Sequence, residues 1–268
     1  MTIFHSRFHF KRWHVFAAIF SFFVSASSKS EGALTGLAWV DGHGHIDVEY
    51  APVDPLFPLG PKEIDLHWHV GEGLGSTVLG LPAVFSQDFQ PDELYAVIPL
   101  VSNSNFARPS GSIWDFTGAA AGAPLYVIPL MVPPAIEVLP RLGLASDTLT
   151  YSEWGNLNFT FSLLNPAPGQ ISIFDGNSTT PVPIFSSAVG SPVSFPQQAQ
   201  GHYHHNYAFT APGIYDLQLT VNGTHSMDGP KTATASFQFF VGAVPEPSSA
   251  WLLAIVGYAY SGVRRRVG

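Results

Sequence analysis

The sequence predicts an all-β fold between residues 33 and 243, and three observations carry that prediction. Short apolar runs alternate with polar residues at period two, and no sustained amphipathic helix interrupts them. The 268-residue chain holds 25 Gly and 23 Pro against 11% charged residues, which marks it as turn-rich. Aromatic residues at 13% supply a packed core rather than a disordered chain.

The runs can be taken in order. Ile46–Tyr50, Ile64–Val70 and Leu94–Val101 come first, then Leu125–Leu130, Leu157–Leu163 and Gln170–Asp175. His202–Phe209, Ile214–Val221 and Ala233–Val241 complete the set. Leu157, Phe159, Phe161 and Leu163 share one face, with Asn158, Thr160 and Ser162 on the other. Tyr215, Leu217, Leu219 and Val221 likewise oppose Ile214, Asp216, Gln218 and Thr220. Half-buried strands bounded by Gly, Pro, Asn and Asp predict an antiparallel β-sandwich, immunoglobulin-like or jelly-roll-like. Proline-rich stretches at 52–61 and 129–140 leave two arrangements open. One is a sub-boundary near 131–147; the other is one continuous sandwich with a proline-rich crossover.

The ends read as targeting segments. Arg7, Lys11 and Arg12 precede the apolar run Val15–Val24, and Val24 and Ala26 suit the −3 and −1 positions of a signal peptidase site. Residues 1–26 are therefore expected to be a secretory signal peptide, since the apolar run is too short for an ordinary spanning helix. At the other end Pro245-Glu246-Pro247 precedes the apolar stretch Ala250–Val263 and then Arg264, Arg265 and Arg266. The prolines keep the motif extended, and the arginines hold the end of a membrane-entering hydrophobic helix on the cytoplasmic side. Residues 244–268 are expected to be a membrane-entering tail, whether a plain anchor or a sorting segment, and either places the part between outside the cytoplasm.

Charge and cysteine content narrow the function. All 19 acidic residues lie between Arg12 and Arg264, while six of the 11 basic ones are Arg7, Lys11, Arg12, Arg264, Arg265 and Arg266. The exported part is thus a polyanion, which disfavours nucleic acid as a partner and favours cations. The absence of cysteine removes every thiolate metal site and thiol nucleophile. An exported chain without disulfides is held by its core or by bound ions.

The histidines carry the one chemical pattern. Beyond the signal segment they cluster as His43-Gly44-His45, His67-Trp68-His69 and His202-Tyr203-His204-His205, with His225 apart. On a strand, residues i and i+2 share a face. His43, His45, Asp47 and Glu49 then lie together, as do Asp65, His67 and His69, and His202, His204 and Asn206. A strand-borne His-x-His is a bidentate platform for a divalent transition ion of the Zn²⁺ or Cu²⁺ type. The candidate ligands are His43, His45, His67, His69, His202 and His204, with Asp47, Asp65 and Asn206 as groups that orient them. The same residues also suit the polar face of a paired strand, where they would serve the fold alone. A metal-dependent enzyme is the most distant reading, and no nucleophile elbow or phosphate loop is present. No catalytic residue is assigned.

Two resemblances add to this. The Pro245-Glu246-Pro247 motif, its apolar stretch and its basic end resemble the PEP-CTERM sorting signal of exopolysaccharide-producing Gram-negative bacteria. That resemblance implies processing by an exosortase after signal peptidase, transient anchoring in the inner membrane, and release to the cell surface or exopolysaccharide matrix. The stretch Gly201–Tyr215 resembles the His-x-His-x-Asn-Trp-x-Phe signature of bacterial surface-anchored proteins grouped as choice-of-anchor M domains, with Tyr207 in place of Trp. Gly42–Val48, Gln90–Leu94 and Gly169–Phe174 are similar to other parts of that pattern, so the likeness spans most of 36–242. It implies location and architecture and carries no settled activity. Some relatives occur beside transporters of a metal-uptake type, an association in favour of metal handling. The expectation is an exported, non-catalytic surface or matrix protein, with extracytoplasmic metal binding as the alternative.

Overall fold

The computed structural model describes residues 33–53, 56, 60–71, 75–100, 105–130, 139–164, 166–189 and 194–243. The expected signal peptide, residues 1–26, and the expected sorting tail, residues 244–268, lie outside the described residues. All described residues belong to one compact unit, Gly32–Gly268. Among them no helix is long and apolar enough to cross a membrane.

The fold is all-β and sandwich-like, as the periodicity predicts. In the first half the strands are β1 (Leu37–Pro52), β2 (Lys62–Val70), β3 (Thr77–Val78), β4 (Gln87–Phe89), β5 (Leu94–Ile98), β6 (Asn105–Ala107), β7 (Pro124–Ile128) and β8 (Pro140–Ala145). The second half supplies β9 (Asn156–Leu163), β10 (Ile171–Asp175), β11 (Val182–Ser186), β12 (Ser194–Gln198), β13 (His202–His204), β14 (Asn206–Phe209), β15 (Gly213–His225) and β16 (Gly229–Val241). An 11-stranded sheet runs β12-β9-β15-β16-β5-β1-β2-β4, with β3 and β8 also paired to β1 and β13 paired to β8. The second sheet has five strands in the order β11-β10-β14-β7-β6.

Most pairings are antiparallel, but β1 runs parallel to both β5 and β8, and β16 runs parallel to β5. The larger sheet is therefore mixed. β1 is long enough to serve two sets of neighbours. Its first residues pair with β5 and β3, and its later ones with β2 and β8. The change comes at a register shift between Trp39 and Asp41, followed by Gly42 at φ 93°. A Cβ on Gly42 would stand 2.7 Å from Ser76 Cα, so only glycine fits this bend.

The core lies where the alternation puts it. Leu157, Phe159 and Phe161 are fully buried, as are Tyr215, Leu217, Leu219 and Val221. Trp39, Trp68, Phe237, Phe239, Tyr207 and Phe209 join the same apolar cluster. Trp68 meets Phe237 edge-on with centroids 5.0 Å apart, a favoured aromatic geometry.

Two expectations about strands change. Pro140–Ala145, which none of the expected runs covers, is a strand, with Leu142 and Leu144 buried at period two. Residues 131–138, the first part of the expected sub-boundary, lie outside the described residues. The run His202–Phe209 is two strands, not one. β13 pairs with β8 in the large sheet, whereas β14 pairs with β10 and β7 in the other. The chain changes sheets at His205, which is buried and hydrogen-bonded to Asp175 Oδ1 at 2.7 Å. Strands that switch sheets through a bend make the corners of sandwiches.

Candidate metal centre

β8 is the axis of the site. It lies between β1 and β13, with Gly143 opposite His45 on one side and His204 on the other. Ala145 stands likewise between Asp47 and His202. Neighbouring strands are about 4.8 Å apart, so β1 and β13 are about 10 Å apart and their imidazoles meet over the middle strand. That strand must be low there. A Cβ on Gly143 would lie 2.5 Å from His45 Cδ2 and 3.1 Å from His204 Cε1.

Over this floor four histidines converge. His43 Nε2 is 3.1 Å from His45 Nε2 and 3.0 Å from His204 Nε2, and His202 Nε2 is 3.3 Å from His204 Nε2. One donor nitrogen from each of the four lies within 4.8 Å of all the others. Four nitrogens bound tetrahedrally at about 2.0–2.1 Å from a zinc ion are about 3.3–3.4 Å apart, close to these spacings.

Hydrogen bonding within the cluster accounts for them poorly. Each Nε2 has one site, either a proton or a lone pair. Along the chain of contacts His45–His43–His204–His202, donors and acceptors must alternate. His43 and His204 would then each serve two partners from a single site. A cation at the centre uses all four lone pairs at once.

The protonation states favour that. Burial lowers His45 to about 2, helped by the nearby His43, His202 and His204. Burial likewise lowers His204 to about 4, with His43, His202 and Arg141 adding to it. Both rings are neutral near pH 7, the state in which imidazole ligates. Asp147 Oδ2 lies 3.6 Å from His202 Nδ1, behind the ring relative to Nε2. The Leu142 carbonyl lies beside His204.

The other sequence-selected residues do not join the four. His67 Nδ1 donates to Asp65 Oδ2 at 2.9 Å, and His69 Nδ1 to Asp88 Oδ1 at 2.6 Å. Ser86 Oγ lies 3.3 Å from His69 Nε2. His69 is next to His45 across β1 and β2, yet its ring is tied toward β4. Asp65 thus orients His67 alone. Asp47 stands with Glu49 and His67, one donor atom from each lying within 4.8 Å of the others. Burial raises the carboxyl pKa of both Asp47 and Glu49, against the pull of His67.

Asn206 is a correction. It sits in the five-stranded sheet, where its amide donates to the carbonyls of Phe174 and Gly176 and its Oδ1 accepts the Leu130 N–H. The sheet change at His205 ends the parity that grouped it with His204. Sequence reasoning also missed Gly143, Asp88 and Asp147. An isolated glycine between Leu142 and Leu144 was the available signal, since it marks a close approach within a strand. Asp88 and Asp147 follow no spacing rule relative to the histidines.

Comparison with protein-family models, with characterised proteins and with solved structures found no match to this chain.

Proposed function

We propose that this chain is an exported, non-catalytic surface protein that holds a divalent transition metal through His43, His45, His202 and His204. One observation carries the metal reading: the convergence of four imidazole nitrogens, one from each of these residues, with spacings near those of a tetrahedral shell. The donor set is all imidazole, which suits Zn²⁺, Cu²⁺ or Ni²⁺. Four protein ligands close the shell, the arrangement of structural rather than catalytic sites. The reading favours metal holding over histidines that serve the fold alone, because their mutual contacts exceed what imidazole hydrogen bonds satisfy.

Export rests on the two ends of the sequence. In this proposal signal peptidase and an exosortase-type enzyme process the chain, which passes through the inner membrane to the cell surface or exopolysaccharide matrix of a Gram-negative bacterium. The choice-of-anchor M resemblance supports the same placement. The test of metal holding is metal content by mass spectrometry on the untagged full chain after dialysis against mixed Zn²⁺, Cu²⁺, Ni²⁺ and Mn²⁺. A tightly held ion that disappears when His202 and His204 become Ala supports the reading. No ion above background, with melting unchanged by metal, sinks it. Intact mass of the exported form tests removal of both ends.

A further inference from the structure

The polar face that carries the four histidines continues along β1, and its next part has different chemistry. Asp47 and Glu49 project there beside His67, which pairs with Asp47 across β1 and β2. Asp47 and His67 are buried at 6% and 2% exposure. A carboxylate is placed as deep as Asp47 at a cost unless hydrogen bonds or a cation compensate it, and the Val48 N–H, 2.8 Å from Oδ1, engages only one of its two oxygens.

His67 supplies the second observation. Asp65 fixes its Nδ1, so the ring orientation is set. Its Nε2 is buried and has no hydrogen-bond partner; Asp88 Oδ1, at 3.6 Å, is too far to bond. A ring held by a carboxylate at one nitrogen, with the other uncommitted, is how proteins present a ligating histidine. The neighbourhood is a cleft of about 400 Å³ lined by His45, Asp47, Glu49, His69, Asp88 and Asp147, with Thr148 and no Lys or Arg.

We propose that Asp47, Glu49 and His67 form a second metal site, open to this cleft, for a first-row divalent ion of the Mn²⁺ or Zn²⁺ type. One nitrogen and two carboxylates make a harder donor set than four imidazoles. Too few oxygens are gathered for Ca²⁺, which takes six to eight. Three protein ligands leave positions for water or for an anionic group entering the cleft. The site lies one to two strand repeats along β1 from His45, about 7–13 Å, so it takes its own ion. The proposal extends the metal-binding reading but does not depend on it, because the two donor sets share no residue.

The test is equilibrium dialysis of the untagged full chain against Mn²⁺ and against Zn²⁺, with bound metal counted by mass spectrometry. Three proteins are compared: wild type, Glu49→Gln, and the double variant His202→Ala with His204→Ala. Glu49→Gln keeps the side chain's size at a half-buried position, and at pH 7 its melting temperature should be no lower than wild type. Two zinc ions on wild type and one on each variant are expected, with Mn²⁺ binding weakened at least about tenfold in Glu49→Gln alone. One ion on wild type, lost only in the double histidine variant, overturns the second site and leaves the first. One ion lost only in Glu49→Gln supports the second site and removes the first. No ion on wild type overturns both.

Discussion

The histidine pairs of β1 and β2 have the same spacing and neighbouring positions in one sheet, yet different surroundings. His43 and His45 look across the low floor of β8 to the pair on β13. His67 and His69 have carboxylates on their Nδ1 atoms, from Asp65 and Asp88. The first arrangement leaves nitrogens facing nitrogens; the second leaves nitrogens facing oxygens. A His-x-His motif therefore fixes only which face its rings occupy. The residue type on the strands beside it decides what those rings do.

The comparison is broken most directly by removing one ring at a time. His204→Ala should weaken zinc binding about 100-fold or more, a quarter of the roughly 10–16 kcal/mol a four-ligand site supplies. His69→Ala should leave that affinity within about threefold, and competition against a chelator reads both. The floor comes next. Gly143→Val should cost about 1–3 kcal/mol of stability by overpacking, because its Cβ would meet His45 at 2.5 Å. It should also displace the rings and lower zinc affinity, whereas a valine at exposed Gly80, where a Cβ would meet nothing within 4 Å, strains only its own turn.

Acid sharpens the contrast. His45 is held low at about 2 in the fold, against about 6.5 unfolded, so the unfolded chain takes the proton first as pH falls. The stability of the metal-free protein should be full above pH 6.5 and decline below it, by up to about 2 kcal/mol at pH 5 from this group. Asp47 and Glu49 act with the opposite sign. Their raised values mean that the fold binds protons first, and their burden is relieved as pH falls. Calorimetry from pH 7 to 5 should show a falling melting temperature that His45→Gln flattens and Glu49→Gln steepens. The smallest effect belongs to Asp147→Asn, which removes the charge 3.6 Å from His202 Nδ1 and should weaken zinc binding about tenfold.

Much of the fold was legible because β periodicity is strict. The faces of Leu157–Leu163 and Ile214–Val221 follow from alternation alone, and so does the shared face of each histidine pair. Neighbourhood was not legible. β13 lies beside β8, and β8 sits in a stretch whose prolines masked the alternation of Leu142 and Leu144. The bend at His205 was invisible for a related reason. His202–Phe209 breaks its alternation at His205, where three polar residues run together, and that interruption does not say that its halves hydrogen-bond in different sheets and remove Asn206 from the site.

The four clustered histidines come from distant parts of the chain, His43 and His204 being 161 positions apart. An ion joining them would act as a removable crosslink around a very long loop. For a permanent bond closing a loop of that size, the chain-entropy estimate is about 5 kcal/mol, drawn from the freedom denied to the unfolded chain. In a chain with no cysteine to supply such a bond, the supply of that ion would set how tightly the sandwich is fastened. The three-residue β13 would be the first strand to come loose where the ion is scarce.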